Sequence, residues 1–428
     1  MSRNFNLLLQ QIRVIDPVAE KDFIADVLII DGKVQIATQI NSYPDLTKII
    51  EGKNLILGTG LIDLYSHSGE PGYEARETLF SLAASGGAGG FKEVAVLPDT
   101  IPAIDNLETI NALKQKATQL EETADLSLSK LNFWVNLALE RETPQMSELA
   151  QLSSYAVGFT QKLDFGNLSL FRQALEYLKP LQKPIAVDIS ANQLTNSGTV
   201  REGIQSLRYG LIGNPGYAEA SAIAAVVEIV ASINTPVHIM GVSTARGVEI
   251  IADAKQRGVP ITASTTWMHL LFSTKDQSTY NPNLRLEPPL GNPHDLKALQ
   301  QGIQEGIIDI IAIAHQAYTY EEKTVPFALA PPGAIGLQIA LPILWQKLVA
   351  TKIISPIQLW KALSKHPSIY LGIEPISIKN DISDLVLLDN KKQWLIDANS
   401  MHSLAANTPW WNREIIGQVI PFSSIIEH

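Results

Sequence analysis

The 428-residue chain has no cysteine. Disulfides, Cys-ligated zinc and thiol catalysis are therefore excluded, and a reducing compartment suits the chain. It also lacks positive charge: 33 Lys and Arg face 43 Asp and Glu, a net charge of −10. A nucleic acid or an anionic membrane surface is a poor partner for such a chain. Long hydrophobic runs are missing too. The longest, around 307–314 and 334–345, fall well short of the ~20 residues needed to span a bilayer. Near the amino terminus only Leu7, Leu8 and Leu9 are consecutively apolar, whereas a signal-peptide core takes roughly 7–15 such residues. There is no internal repeat, low-complexity tract or Gly/Ser-rich linker. The expectation is a soluble cytoplasmic protein with no nucleic-acid and no membrane partner.

Hydrophobic residues make up 46% of the chain, enough for one large core and an accessory unit. Residues 5–57 hold short β-rich runs, Leu7–Leu9, Ile12–Ile15, Asp26–Ile30 and Val34–Ile36, with Asp31-Gly32 as a hairpin turn signal. Asp384–Leu388, the turn pair Asp389-Asn390 and Trp394–Ile396 read as a second hairpin. Neither piece is large enough for a core of its own. Residues 1–58 and 380–428 are therefore expected to form one composite β domain.

Between them, strand-like runs alternate with amphipathic stretches of helix length. The runs are Leu61–Tyr65, Glu93–Leu97, Asn132–Leu137, Ala156–Phe159, Pro184–Asp188, Pro236–Met240, Pro260–Ala263 and Ile308–Ile313. Each is short and apolar on both faces, as a parallel strand covered by helices is. Leu168–Leu178, Ala218–Ile233, Ala245–Arg257 and Asp295–Glu305 read as intervening helices. Eight such units predict an α/β fold, a (β/α)8 TIM barrel over residues 59–379. The cluster Gly86-Gly87-Ala88-Gly89-Gly90 precedes a strand and has no Lys-Ser or Lys-Thr after it. It reads as a helix-to-strand turn and not as a phosphate loop.

Residues 60–72, Gly-Leu-Ile-Asp-Leu-Tyr-Ser-His-Ser-Gly-Glu-Pro-Gly, read as a buried strand delivering side chains into the barrel mouth. The stretch resembles the first strand of the dihydroorotases of the amidohydrolase superfamily, Asp-x-His-x-His-x-Arg-x-Pro-Gly. Asp63, Tyr65, His67, Gly69, Pro71 and Gly72 occupy that frame. Further landmarks of the same family run along the chain: Leu97-Pro98-Asp99-Thr100-x-Pro102, Arg172-x-Ala174-Leu175-Glu176-Tyr177, His238-x-x-x-Val242-Ser243-Thr244, Pro288-Pro289-Leu290, Glu321-Glu322-Lys323-x-Val325-Pro326-Phe327, Ile335-Gly336-Leu337 and Asn407-Thr408-Pro409.

The resemblance implies a two-metal hydrolase site at the strand ends, and this chain departs from it position by position. The first-strand metal pair is Tyr65 and His67. Lys162 stands near the bridging carboxylate or carboxylated Lys. Asp188 and Gly241 replace the His of the fifth and sixth strands, and Ala314 replaces the Asp that is both ligand and general base. Among the substrate-gripping positions, Arg has become Gly69, and two Asn have become Asp99 and Glu287. His315 completes the former substrate pocket. Catalytic zinc takes three protein ligands and a water, so His67 and Asp188 alone do not make a site. Loss of a general base costs about 10²–10⁴-fold, and loss of the metal removes the activated hydroxide as well. Asp99, Asp188 and Glu287 would also repel anionic dihydroorotate.

Several residues keep a plain structural reading. His67 reads as a mouth residue bonded to its neighbours or as a relic ligand, and His238 as core packing. Asp188 and Glu287 read as partners of Lys162 or Arg285. His269 and His366 are given no role. The resemblance thus implies a dihydroorotase-like pseudoenzyme of pyrimidine biosynthesis without catalytic residues or cofactor. It would work in an oligomeric assembly as a structural partner of aspartate carbamoyltransferase. The alternative is an active dihydroorotase or other cyclic amidohydrolase with zinc in a rewired site, built from His67, Asp188, Glu287 and His315.

Overall fold

The computed structural model describes residues 6–45, 47–124, 126–139, 145–189, 191–195, 197–378 and 381–422. Eight parallel strands pair in chain order: Leu61–Ser66, Phe91–Val96, Lys130–Asn136, Gly158–Leu163, Ile185–Ile189, Val237–Met240, Ile261–Thr266 and Ile310–Ala312. The seam between the last and the first is drawn together by backbone bonds from Ala314 N to Tyr65 O (3.1 Å) and from His67 N to His315 O (2.8 Å). The barrel interior is filled by Ile62, Leu64, Tyr65, Trp134, Ala186, Met240 and Ile310. A second apolar layer packs the strands against the helices. All eight expected strands are present. The fourth begins later than its apolar run and continues to Leu163, because Lys162 and Leu163 pair with Asp188 and Ile189. Lys162 is thus a strand residue.

Helices Leu168–Leu178, Gly216–Ile233, Ala245–Gln256 and Pro293–Glu305 cover the outside. Thr244 starts the third of these by accepting from Gly247 N. Gly216–Ile233 is long and apolar enough to cross a membrane. Its Ala218, Ile223, Val226, Val227 and Val230 are instead buried inside the protein. The glycine cluster ends helix Leu79–Ala88 and turns the chain into the second strand. A Cβ on Gly87 or Gly89 would lie 2.0 Å from Ser127 O or Leu337 O, so both positions exclude a side chain.

Both ends of the chain build one seven-stranded sheet. Its order is Glu414–Val419, Leu385–Leu395, Leu55–Thr59, Asn6–Asp16, Lys21–Ile30 and Lys33–Ala37, with Lys48–Glu51 beside Asn6–Asp16. Asp31 and Gly32, both at positive φ, make the first expected hairpin. The second is corrected. Leu385–Leu395 is one continuous strand, and its partner is Glu414–Val419. Asp389 Oδ1 accepts from Lys391 N and Lys392 N, so the turn signal produces a bulge between Asp389 and Gln393 and not a reversal. Residues 1–5, 46, 380 and 423–428 of the expected β domain lie outside the described residues.

Candidate functional site

The barrel mouth is the place to seek chemistry, and the first strand sets its geometry. Asp63, fully buried, accepts from Ile313 N at 2.8 Å and Ser66 Oγ at 2.5 Å, tying the first strand to the last. Burial pushes its carboxyl up to about 7, against the hydrogen bonds that favour ionisation.

Two residues on, the Tyr65 side chain enters the barrel. Its hydroxyl accepts from Gly241 N at 3.1 Å and lies 3.2 Å from Ser264 Oγ. Ser264 Oγ is 2.8 Å from His238 Nε2, and His238 Nδ1 is 2.8 Å from Thr262 Oγ1. The Tyr370 ring lies 4.8 Å from the His238 ring, so the core reading of His238 holds. Burial raises the Tyr65 pKa and pushes His238 down to about 3. Every member of the chain is thus neutral at pH 7.

These residues do not fit a zinc ion. Metal ligands must be deprotonated or bear a free imidazole lone pair. The Tyr65 phenol is held protonated in a closed hydrogen-bond chain. Gly241 offers only a backbone N–H, turned into that chain at φ +62°. A Cβ there would sit 3.4 Å from Pro288 Cδ. Ala314 supplies a methyl group where a base would be. Among the described residues no three His, Asp or Glu converge as a metal site.

Ionisable pairs remain at the mouth. His67 Nδ1 meets Asp99 Oδ2 at 2.6 Å. Burial opposes charge on the imidazole, but Asp99 and then Asp188 outweigh it and hold the His67 pKa above its ordinary value. Burial likewise opposes the Asp99 charge, and His67 outweighs it and lowers the carboxyl pKa. Lys162 is exposed on the strand next to Asp188. Glu287 faces Arg285 at 3.5 Å, one of the pairings expected from sequence.

Two positions are corrected. His315 is not a mouth residue. It is 1% exposed and lies beneath the mouth. Its Nδ1 accepts from Gly336 N and Leu337 N (3.2 and 3.3 Å), so the proton sits on Nε2, 3.0 Å from Glu77 Oε2. Glu77 also accepts from Ser403 Oγ and Ser81 Oγ. This buried clasp joins the loop after the first strand, the loop after the eighth and the segment near 403. The four-residue rewired site of the alternative reading is therefore not assembled. Gly69 is enclosed as well: a Cβ there would lie 2.5 Å from Glu77 O and Tyr73 O, leaving no path for an Arg side chain.

Other residues were missed from sequence. Arg76, seven positions after Gly69, forms an ion pair with Glu322 and lies over the Tyr73 ring (3.9 Å) and the Tyr318 ring (5.0 Å). Only the Glu-Glu-Lys landmark hinted at this loop-to-loop tie. Buried Lys323 donates to Pro282 O and Pro331 O, and burial pushes it down to about 7. His269 lines the mouth cavity, with Nδ1 on Thr266 Oγ1 (2.7 Å) and Nε2 on Pro288 O (3.1 Å), and is pushed down by burial to about 4. His366 Nδ1 lies on Asp309 O. The cavity beside His67, Glu287 and Ala314 has a volume of about 40 Å³, room for a few waters and far below the ~300–1,000 Å³ of ordinary ligand pockets.

Residues 52–246 match the family model described as dihydro-orotase-like. Over 97% of its length the chain is 39% identical to the probable dihydroorotase-like protein of Synechocystis sp., covering 98% of that protein. It is 33% identical to the dihydroorotase of Pelobacter propionicus, covering 97% of both chains. Among solved structures, the L-hydantoinase (dihydropyrimidinase) of Arthrobacter aurescens superposes with a TM-score of 0.80 at 19% identity, over 97% of this chain and 94% of that one. The dihydropyrimidinase of Brevibacillus agri superposes at 0.76 and 18% identity, over 97% and 93%. At these identities the solved structures carry the fold alone.

Proposed function

The chain belongs to the dihydroorotase-like family, and from that premise we propose that it does not hydrolyse cyclic amides but serves pyrimidine biosynthesis as a structural partner of aspartate carbamoyltransferase. The observation that carries this reading is Tyr65: a neutral phenol, satisfied on both sides, stands where the resemblance requires a metal-binding imidazole. Three further features support it. Gly241 and Ala314 have no donor side chain. The mouth cavity of about 40 Å³ is small for a substrate. Asp99 and Glu287, where the resemblance places two substrate-gripping Asn, are engaged with His67 and Arg285 instead.

Full-length retention of the barrel without its metal donors suits a role through the surface. Ile204, Leu207, Ile212 and Tyr217 lie close together in sequence and are 56–84% exposed, apolar surface of the kind that protein partners cover. A stable contact would bury at least ~1,200 Å² in total.

The test has two arms. Metal analysis of protein purified without chelator should find well under one zinc per chain, with no dihydroorotate formed from carbamoyl aspartate. Near-stoichiometric zinc that disappears in His67→Ala would instead defeat this reading and favour a rewired metal site, and dihydroorotate formation would establish an active cyclic amidohydrolase. Co-expression with the same organism's transferase should give one peak of combined mass on size-exclusion chromatography. Separate elution at micromolar concentration, with transferase activity and stability unchanged by this chain, defeats the partner reading.

A further inference from the structure

A cleft of about 720 Å³ lies between the terminal β sheet and the end of the barrel opposite the mouth. Its walls come from both units: Arg13 of strand Asn6–Asp16 and Asn390 and Lys391 of strand Leu385–Leu395 on one side, Trp345, Gln346 and Lys352 on the other. The volume falls within the ~300–1,000 Å³ of small-molecule sites, which favour unit boundaries.

The lining charge is anomalous for this chain. In a protein of net charge −10, the cleft presents Arg13, Lys352 and Lys391 and, among the described residues, no lining carboxylate. Asp22 and Asp389, on the sheet side, are both engaged. Asp22 takes Arg13 Nε and Nη2 at 2.8 and 2.7 Å, and Asp389 Oδ1 accepts from the backbone of its own turn. Arg13 lies over the Trp345 ring at 5.5 Å. Lys352 and Lys391 have no ion-pair partner among the described residues, so their charge is uncompensated.

Two further observations point to a ligand. Asn390 Oδ1 is buried without a hydrogen-bond partner. A buried carbonyl oxygen left unpaired carries its full desolvation cost, and an N–H from a bound molecule would satisfy it. The helix forming the opposite wall also widens to a π-turn at Trp345–Val349, seen in the bond from Ala350 N to Trp345 O at 2.8 Å. Such turns are frequent at functional sites.

We propose that this cleft binds a small phosphate ester of nucleotide size, with the phosphate between Lys352 and Lys391 and a ring N–H donated to Asn390 Oδ1. The two ammonium groups supply point-charge recognition of phosphate, and the single orphan acceptor selects a ligand that carries a donor.

Isothermal titration calorimetry on the full chain tests this with inorganic phosphate, uridine 5′-monophosphate and uridine. The nucleotide should bind more tightly than phosphate, both affinities should fall with added salt, and uridine should give no heat. The double variant K352E/K391E should weaken nucleotide binding at least tenfold, while the distant double charge reversal K275E/K297E leaves it unchanged. N390A should weaken the nucleotide and spare phosphate. Circular dichroism and unliganded thermal midpoints establish that the variants are folded. The proposal is overturned by uridine binding as well as its phosphate, by equal nucleotide affinity in folded K352E/K391E, by phosphate binding without nucleotide binding, or by no nucleotide heat at millimolar concentration.

Discussion

At the scale of single residues, the candidate site is decided by protonation. Asp63 and His238 are both buried and shifted in opposite senses. The folded chain holds a proton on Asp63 to about pH 7, whereas an unfolded Asp releases it near 4. Between those values the native state binds more protons, and stability falls as pH rises. His238 is pushed down to about 3, so below about 6.5 the unfolded state binds the extra proton and stability falls as pH drops. Denaturant titrations across pH should therefore show D63N losing part of the decline between pH 4 and 7, and His238→Gln losing part of the decline between pH 6 and 4. A D63N profile parallel to that of the parent would mean that Asp63 is ionised in the native state. Tyr65→Phe should cost about 1–3 kcal/mol, because Gly241 N–H loses its buried acceptor. Tyr65→His should form no dihydroorotate, since catalytic groups act as a unit and one restored part recovers almost nothing. The substitutions at 65, 241 and 314 were legible from the motif frame. The pairing of His67 with Asp99, and the turning of His315 toward Glu77, were not. Both depend on side chains from loops whose paths no local pattern specifies.

At the scale of elements, apolar runs read on both faces located all eight barrel strands, because a strand sandwiched between interior and helices needs no polar face. The same reading failed at Asp389-Asn390. That pair is a turn signal in any hairpin, but here the Asp side chain caps two backbone N–H groups inside a continuing strand. Which strand lies alongside is a long-range matter, invisible in a ten-residue window. The Glu77 clasp was equally hidden, since its members come from positions 77, 81, 315 and 403. It holds three segments with charge-assisted bonds in a dry site. Glu77→Gln should lower stability by about 1–3 kcal/mol, and hydrogen exchange should rise first around residues 401–408. Uniform acceleration over the whole chain, with no local excess, would show that the clasp does not anchor that segment.

At the scale of the whole molecule, the barrel mouth and the opposite end have diverged in character. One holds a small cavity beside His67, His269 and Glu287. The other is an open cleft against the β sheet with no lining carboxylate among the described residues. If the proposed assembly with the transferase forms, the thermal midpoint of the mixture should exceed that of either chain alone, rising with concentration as ligand-like stabilisation does. An unchanged midpoint at tens of micromolar argues against it. The bond from Gly241 N to the Tyr65 hydroxyl also couples the two positions. Exchanging residue 65 for His strands that N–H, and exchanging residue 241 for His places a bulky side chain at φ +62°. Each exchange carries a cost of its own, so the pair works as a ratchet: neither residue is readily changed alone.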